Sequence, residues 1–139
     1  MDEMASIEAL INSDTRLAVV ERGSHDHVDE WLRKLHTKTG MASYVWTAQQ
    51  GLQRIAVEHI LIPNTLRPLD VLEHIHTSHH YGIYLLRDFQ TALSEPKVCA
   101  RLEQQMADTD SARKLVLLFG TQYKLPARMA NRVAHLTLF

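Results

Sequence analysis

The chain has 139 residues, a common length for a single domain, and 45% of them are hydrophobic while 22% are charged. This composition is typical of a folded globular protein and excludes disordered, collagen-like and membrane classes. Fifteen Lys plus Arg and sixteen Asp plus Glu residues give a formal net charge of -1, so no overall positive field favours nucleic acid or an acidic membrane surface as a partner.

Three features of the chain predict a cytoplasmic protein. Cys99 is the only cysteine, so no intramolecular disulfide can form. No run of about eighteen apolar residues exists that would span a membrane. The acidic start at Met1–Met4 lacks the form of a secretory signal. We therefore expect no membrane partner.

The first part of the chain alternates between helical and strand patterns. Apolar residues recur at helical spacing near the start, and the continuous apolar run Leu17–Val20 predicts a strand with both faces covered. The next pattern has apolar residues three and four positions apart and predicts a helix that ends at Gly40. Residues 42–47 then predict a second strand, because β-branched and aromatic side chains dominate them.

The stretch from Leu52 to Leu66 is ambiguous, because its apolar residues fit a short strand, an irregular loop, or one after the other. Pro63 and Asn64 interrupt it in each case. Pro68 suits the first turn of a helix, and the apolar spacing after it predicts a helix that ends near His80.

The second half continues the alternation. Ile83–Leu86 and Leu115–Phe119 are apolar runs of the length of buried strands. Between them, the spacing after Pro96 predicts a helix for which Ser94 is a candidate cap. The remaining predicted elements are a short helix from Pro126 through Asn131 and a last strand over Ala134–Phe139.

Strands that alternate with helices favour a parallel sheet with helices on both faces. We therefore predict an α/β fold, a three-layer sandwich with a mainly parallel sheet. Its topology should be Rossmann-like, of the P-loop NTPase type, but without a Walker A motif. No repeat or linker divides the chain, so residues 1–139 are expected to form one domain.

The loop after the first strand lacks the chemistry of a phosphate site. A P-loop needs a glycine-rich turn together with a lysine and a hydroxyl residue. The segment Glu21–Asp26 has one glycine, no lysine and two carboxylates that would repel a triphosphate. The dinucleotide fingerprint G-x-G-x-x-G fails for the same lack of glycines. The sequence thus predicts no nucleotide cofactor bound in the usual way.

A ligand site in such a sheet would lie at the carboxyl ends of its strands, so the residues there are the candidates. The candidate ligand-binding residues are Trp46, Arg87, Asp88, Thr121 and Gln122. The alternative explanation is that solvated strand ends are polar in every α/β protein.

Histidines near the end of one predicted helix are the candidate metal ligands. His76 and His80 are four residues apart, which is the spacing that lets two imidazoles on one helical face share a zinc ion. A third ligand would have to come from Glu73 or His59. Exposed histidines at the negative end of a helix explain the same pattern, so we predict no metal cofactor.

Catalytic motifs are absent from the sequence. We find no nucleophile elbow, no Cys-His pair with a third member and no HExxH helix. Asp88 and the histidines are the only residues on which a hydrolase would rest. The aromatic residues lie within predicted elements instead of beside basic clusters, which argues against nucleic acid. We expect a protein that is not an enzyme.

Several short motifs in order resemble one protein family. They are Arg16–Glu21, Tyr44–Trp46 with Gly51 and Leu52, Gly82–Phe89, and Lys114–Phe119 with Lys124–Pro126. The series resembles the N-terminal domain of the conserved open-reading-frame AAA ATPases of cyanobacteria and plastids, and of their bacterial relatives. It covers roughly residues 7–139.

The resemblance implies a degenerate ATPase-like domain of the kind that precedes a true AAA module. Because the chain stops at Phe139, we expect this domain to stand alone, without the family's ATPase activity. The implied function is a non-catalytic protein-interaction or regulatory module. Its partner would be a protein, either an AAA ATPase or a second copy of the chain. The alternative is a sensor that binds a nucleotide or small molecule weakly at the carboxyl edge of the sheet.

Overall fold

A computed structural model shows how these elements assemble. It describes residues 9–10, 13, 15–21, 30, 32–34, 36–37, 40–55, 60–78, 81–107, 114–120, 123–130 and 133–137.

Within these ranges, six strands form one sheet in the order β3-β2-β4-β5-β1-β6. The strands are β1 (Leu17–Glu21), β2 (Ala42–Thr47), β3 (Gly51–Arg54), β4 (Gly82–Arg87), β5 (Lys114–Phe119) and β6 (Val133–Thr137). Every pairing of neighbouring strands is parallel except that of β2 with β3. The mainly parallel α/β sheet predicted from the sequence is confirmed.

Helices connect the parallel strands, as crossover connections require. They are α1 (Pro68–Thr77), α2 (Gln90–Leu93), α3 (Pro96–Ala107) and α4 (Ala127–Ala130). Described residues 30, 32–34 and 36–37, between β1 and β2, are also helical, and so are residues 9–10. Gly40 has a φ of 73° and its N–H donates to the His36 carbonyl over 2.8 Å, which is the helix end predicted there. No helix in the described part of the chain is long and apolar enough to cross a membrane.

Two apolar cores cover the two faces of the sheet. Along β5, Val116 and Leu118 face one core while Leu117 and Phe119 face the other, because successive side chains of a strand point to opposite faces. The first core joins the sheet to α1, α3 and α4, and it includes Val71, Leu72, Ile75, Val98, Leu102 and Met129. The second core includes Leu32 from the helical residues between β1 and β2. The arrangement has three layers.

The ambiguous stretch between Leu52 and Leu66 is a strand followed by irregular chain. β3 turns back on β2, with Trp46 opposite Leu52 in the antiparallel register. In the described residues that follow β3, an isolated antiparallel bridge pairs Leu61 with Gln53. Residues 60–62 therefore run along the outer side of β3, at the edge of the sheet.

Two helix boundaries differ from the expectation. The helix from Pro68 ends at Thr77, where the extended residue Ser78 donates its N–H to the carbonyls of the last turn. A short helix, α2, precedes α3. The Ser94 hydroxyl donates to the Thr91 carbonyl over 2.6 Å. Ser94 therefore caps the end of α2 and not the start of α3, for which the sequence had predicted it. The Glu95 carbonyl accepts the first backbone bond of α3.

Candidate functional site

The topology marks one place where a ligand would be expected. β1 and β5 are neighbours, but the chain leaves β1 toward the second core and leaves β5 toward the first. A crevice opens at the carboxyl ends of strands whose connections diverge in this way. The described chain reaches this place at Glu21 and Gly120. The predicted site residues Thr121 and Gln122 lie outside the described residues.

Trp46 is part of the first core and not of the sheet's rim. Its side chain is 2% exposed, and its indole Nε1–H donates to the Thr65 carbonyl over 2.8 Å. Its ring meets that of Phe89 edge-on, with centroids 5.2 Å apart. Because its face and its only donor are both used within the protein, Trp46 presents no surface to a ligand at this edge.

Arg87 and Asp88 do lie together at the carboxyl end of β4. Arg87 is half-buried and Asp88 is exposed. Asp88 has a φ of 53°, in the left-handed region that Asp tolerates better than most residues. Its backbone N–H donates to the Phe119 carbonyl over 3.0 Å, which joins the end of β4 to the end of β5. Of the three predicted residues that the structure describes, these two lie at the predicted edge.

Tyr123 fills part of the same edge from the side of the first core. The sequence did not identify this residue. Its hydroxyl accepts the Phe89 backbone N–H over 3.0 Å and donates to the Phe119 carbonyl over 2.9 Å. Burial raises the pKa of the Tyr123 phenol well above its usual range, and the nearby charge of Asp88 raises it further. The phenol therefore stays neutral and acts as a link between two strand ends.

Gly120 shows how closely the edge is packed. Its φ is 147°, and a Cβ there would lie 3.0 Å from Gln90 Nε2 and 3.2 Å from Tyr123 Cε2. A side chain at this position would have to displace both neighbours. Next to β4, the carboxyl end of β5 is thus filled by the protein's own side chains.

The predicted metal ligands do not gather into a site in the described chain. His76 is half-buried on α1, whereas His80 and His59 lie outside the described residues. Glu73 forms an ion pair with Arg101 of α3. Among the residues that the structure describes, no group of three His, Cys, Asp or Glu side chains is placed to hold a metal ion.

A second surface feature lies at the other side of the sheet, beside β3. Every large hydrophobic residue that is exposed in the described chain falls between positions 60 and 69. These residues are Ile60, Leu61, Leu66 and Leu69, with exposures of 44%, 52%, 53% and 38%. Single exposed apolar residues are ordinary, whereas here four of them lie within ten consecutive residues. We call residues 60–69 the apolar segment.

Thr65 holds the apolar segment on the sheet. It is 2% exposed, its hydroxyl accepts the Leu52 N–H over 2.9 Å and donates to the Ile62 carbonyl over 2.7 Å. Its own carbonyl accepts the Trp46 indole N–H. Two buried hydrogen bonds at Thr65 therefore join the apolar segment to β3 and β2, and a third lies within the segment, while its leucines are exposed. The sequence reasoning noted the apolar residues but did not assign them to a surface.

Comparison with known proteins gives one family. Residues 3–138 match the family described as the SpoVK-like AAA ATPase, N-terminal domain. No curated protein and no solved structure gives a significant match.

Proposed function

Because the chain belongs to the family of SpoVK-like AAA ATPase N-terminal domains, we propose that it is a non-catalytic module through which an AAA ATPase is regulated or contacts another protein. The family assignment confirms the coarser part of the resemblance, an N-terminal domain of an AAA ATPase. The narrower relationship to the cyanobacterial and plastid ATPases, and the origin of the domain as a degenerate ATPase, remain predictions.

The apolar segment is the observation that carries this proposal. Exposed leucines are unfavourable in water unless a partner covers them. Here they stand on a segment that is joined to the sheet by buried hydrogen bonds of Thr65 with Leu52 and Trp46, so they are presented in a defined arrangement. A preorganised apolar surface suits binding, because little conformational entropy is lost when the partner arrives.

The carboxyl edge supports the non-catalytic part of the proposal. The sequence has no phosphate-binding motif, and Tyr123 and Gln90 occupy the space beside the end of β5. Both hydrogen-bonding capacities of the Tyr123 hydroxyl are spent on the backbone. The chain is therefore proposed to lack ATPase activity of its own.

Binding to a purified AAA module of a SpoVK-like ATPase tests the proposal. Titration calorimetry should show a dissociation constant of about 1–100 μM, the range of a small, transient interface. The rate of ATP hydrolysis by the module should change when the chain is added. The chain alone should release no more phosphate from ATP and magnesium than its Asp88→Ala variant. The absence of both binding and any change in rate would contradict the proposal.

A sensor that binds a nucleotide or small molecule is the second candidate. It is favoured by Asp88, an exposed carboxylate in a left-handed backbone conformation beside the half-buried Arg87. Such backbone conformations concentrate at functional sites. The other residues that the sequence predicts for this site, Thr121 and Gln122, lie outside the described residues.

Thermal unfolding in the presence of a nucleotide panel distinguishes the two candidates. A ligand at a hundred times its dissociation constant would stabilise the folded chain by about 2.7 kcal/mol. The Arg87→Gln variant should lose that stabilisation if the ligand is an anion at this edge. If millimolar nucleotide leaves the unfolding temperature unchanged, nucleotide sensing at this edge is excluded.

A further inference from the structure

We propose that residues 60–62, at the start of the apolar segment, form a strap that opens and closes on the outer edge of β3 while the sheet stays folded. The structure shows the closed state, in which a single antiparallel bridge pairs Leu61 of the strap with Gln53 of β3. Ile62 is the latch that holds the strap closed. The inference concerns the edge of the sheet and does not depend on the proposed function.

Few contacts hold the strap on β3. The Arg54 N–H donates to the Ile60 carbonyl over 3.1 Å, and the Ile62 N–H donates to the Leu52 carbonyl over 2.8 Å. Two of the three side chains of the strap, those of Ile60 and Leu61, are 44% and 52% exposed. A segment that buries so little apolar surface opens at a lower free-energy cost than the strands of the sheet.

Asn64 ends the pairing of the strap with β3. Residues 60 and 62 turn their backbone groups toward β3, and in an antiparallel pair residue 64 would be the next to do so. Asn64 has a φ of 59°, in the left-handed region, which lies outside the extended conformation of a strand. The chain therefore leaves β3 after Ile62, and the backbone pairing described here is limited to one bridge.

Ile62 gives the strap its contact with the interior. Its side chain is half-buried and packs against the first core. Its carbonyl accepts the Thr65 hydroxyl over 2.7 Å. Because the other two side chains of the strap are exposed, removal of the Ile62 side chain from water is the main apolar contribution to closing.

Buried residues on either side keep the opening local. Ile55 is 8% exposed, and its N–H donates to the Ser43 carbonyl of β2 over 2.9 Å. Thr65 is 2% exposed and accepts the Leu52 N–H and the Trp46 indole N–H. These three bonds lie outside the strap. The sheet and the remainder of the apolar segment therefore stay in place when the strap opens.

Opening changes what the edge of the sheet offers. In the closed state, the strap occupies the Arg54 N–H and the Leu52 carbonyl on the outer side of β3. An open strap leaves both groups to water or to another extended chain, which is how an edge strand accepts a further strand. The strap therefore controls whether the sheet can be extended at β3.

Native-state hydrogen exchange of the whole chain tests the strap. The Arg54 and Ile62 amides should share one opening constant within about threefold, because a single opening frees both. That constant should exceed those of the Ile55 and Leu52 amides at least about tenfold and should depend less on urea, since the opening exposes little surface. If all four amides exchange with the same constant and the same urea dependence, the strap does not open by itself and the inference is wrong.

A matched pair of variants tests the latch. Ile62→Ala removes the side chain that packs against the first core and should raise the opening constant at the Arg54 amide at least about fivefold. Leu61→Ala shortens a neighbouring side chain that is 52% exposed and should leave that constant within about twofold of the unchanged chain. Equal exchange at Arg54 in the two variants would overturn the assignment of Ile62 as the latch.

A disulfide across the bridge should lock the strap. Gln53 and Leu61 form a non-hydrogen-bonded antiparallel pair, in which opposite Cα atoms lie about 4.5 Å apart, a distance that a disulfide spans. The double variant Gln53→Cys, Leu61→Cys is made with Cys99→Ser to prevent mispairing. Oxidation should slow exchange at the Arg54 and Ile62 amides at least about tenfold relative to the reduced form. Exchange that oxidation leaves unchanged would contradict the opening of the strap.

Discussion

Tyr123 and Thr65 each use a single hydroxyl group to join two parts of the chain. Tyr123 joins residues at the ends of β4 and β5, and Thr65 joins β3 to the apolar segment. The Tyr123 hydroxyl bonds to backbone groups of Phe89 and Phe119, 34 and 4 residues away in the chain. The Thr65 hydroxyl joins Leu52 to the apolar segment. Leaving a buried backbone N–H without a partner costs more free energy than one hydrogen bond contributes to folding. We therefore expect each of these hydroxyls to contribute to the stability of the fold.

Replacement of Tyr123 by Phe should lower the free energy of unfolding by about 1–2 kcal/mol, because it leaves the Phe89 N–H and the Phe119 carbonyl without their partner. Urea unfolding measures this difference. Tyr44→Phe is the matched control, since the Tyr44 ring stacks on Tyr84 with centroids 4.8 Å apart and keeps that contact without its hydroxyl. Equal stability of the two variants would show that the Tyr123 hydroxyl contributes nothing.

Buried phenols should make the protein less stable in alkali. Burial raises the pKa of both Tyr84 and Tyr123 above the ordinary value. Above about pH 10, the unfolded chain therefore releases phenolic protons that the folded chain retains. The unfolded state then binds fewer protons than the folded state, so the free energy of unfolding falls as the pH rises. Below about pH 10 both phenols are protonated in the folded and the unfolded chain, so their stabilisation of the folded state is fully present there.

Urea midpoints between pH 8 and pH 11 test this dependence. The Tyr123→Phe variant should lose less stability over this interval than the unchanged chain, because one of the two phenols no longer titrates. An identical pH dependence in both proteins would contradict the assignment of Tyr123 as a neutral, buried phenol.

At the scale of elements, β3 and the apolar segment behave as one unit attached to the edge of the sheet. β3 pairs with β2 by antiparallel bonds, and residues 60–62 add to its outer side. Thr65 accepts two further hydrogen bonds: its hydroxyl accepts the Leu52 N–H within the unit, and its carbonyl accepts the indole N–H of Trp46 on β2. The bond between Trp46 and Thr65 therefore joins this unit to β2 in addition to the strand pairing.

The variant Thr65→Val keeps the shape of the side chain and removes its hydroxyl. We expect a loss of about 1–3 kcal/mol, because the Leu52 N–H is left buried without a partner. Hydrogen exchange should show faster exchange at the Leu52 amide than in the unchanged chain.

Thr77→Val is the control for this change. The Thr77 hydroxyl is exposed and donates to the Glu73 carbonyl on the surface of α1. Its loss should change stability by no more than about 0.5 kcal/mol. If Leu52 exchanges equally fast in both variants, Thr65 does not anchor the unit.

At the scale of the whole molecule, two cores share one sheet. Leu117 and Leu118 are neighbours on β5, both are 0% exposed, and they face opposite cores. Since β5 lies between β4 and β1, both cores depend on the same backbone pairing. Loss of either core is expected to release the whole sheet.

The variants Leu117→Ala and Leu118→Ala test this coupling as a matched pair. Each should lower the free energy of unfolding by about 2–5 kcal/mol, because each leaves a cavity in a packed core. Both should still unfold in one transition with an unchanged denaturant slope, whether followed by circular dichroism or by tryptophan fluorescence. Two separate transitions in either variant would show that the cores are independent.

The sequence by itself predicted five of the six strands of the described sheet and their parallel pairing, and it left β3 open. Continuous apolar runs such as Leu17–Val20 and Leu115–Phe119 have only one stable environment, a strand covered on both faces. The helix end at Gly40 was equally local, because glycine adopts a left-handed conformation without steric cost. These features depend on residues a few positions apart, which is why the pattern of the chain predicts them.

Only the tertiary structure decided which side chains face a core and which face solvent. Trp46 follows the strand pattern of a rim residue, yet a hydrogen bond to Thr65, 19 residues later, holds it in the core. The Tyr123 hydroxyl lies at the carboxyl edge because it accepts the backbone N–H of Phe89, which is 34 residues earlier in the chain. Leu61 and Leu66 belong to the stretch that the sequence left ambiguous, and the structure shows both of them exposed. Contacts between distant parts of the chain have no spacing rule in the sequence, because they form only when the sheet brings those parts together.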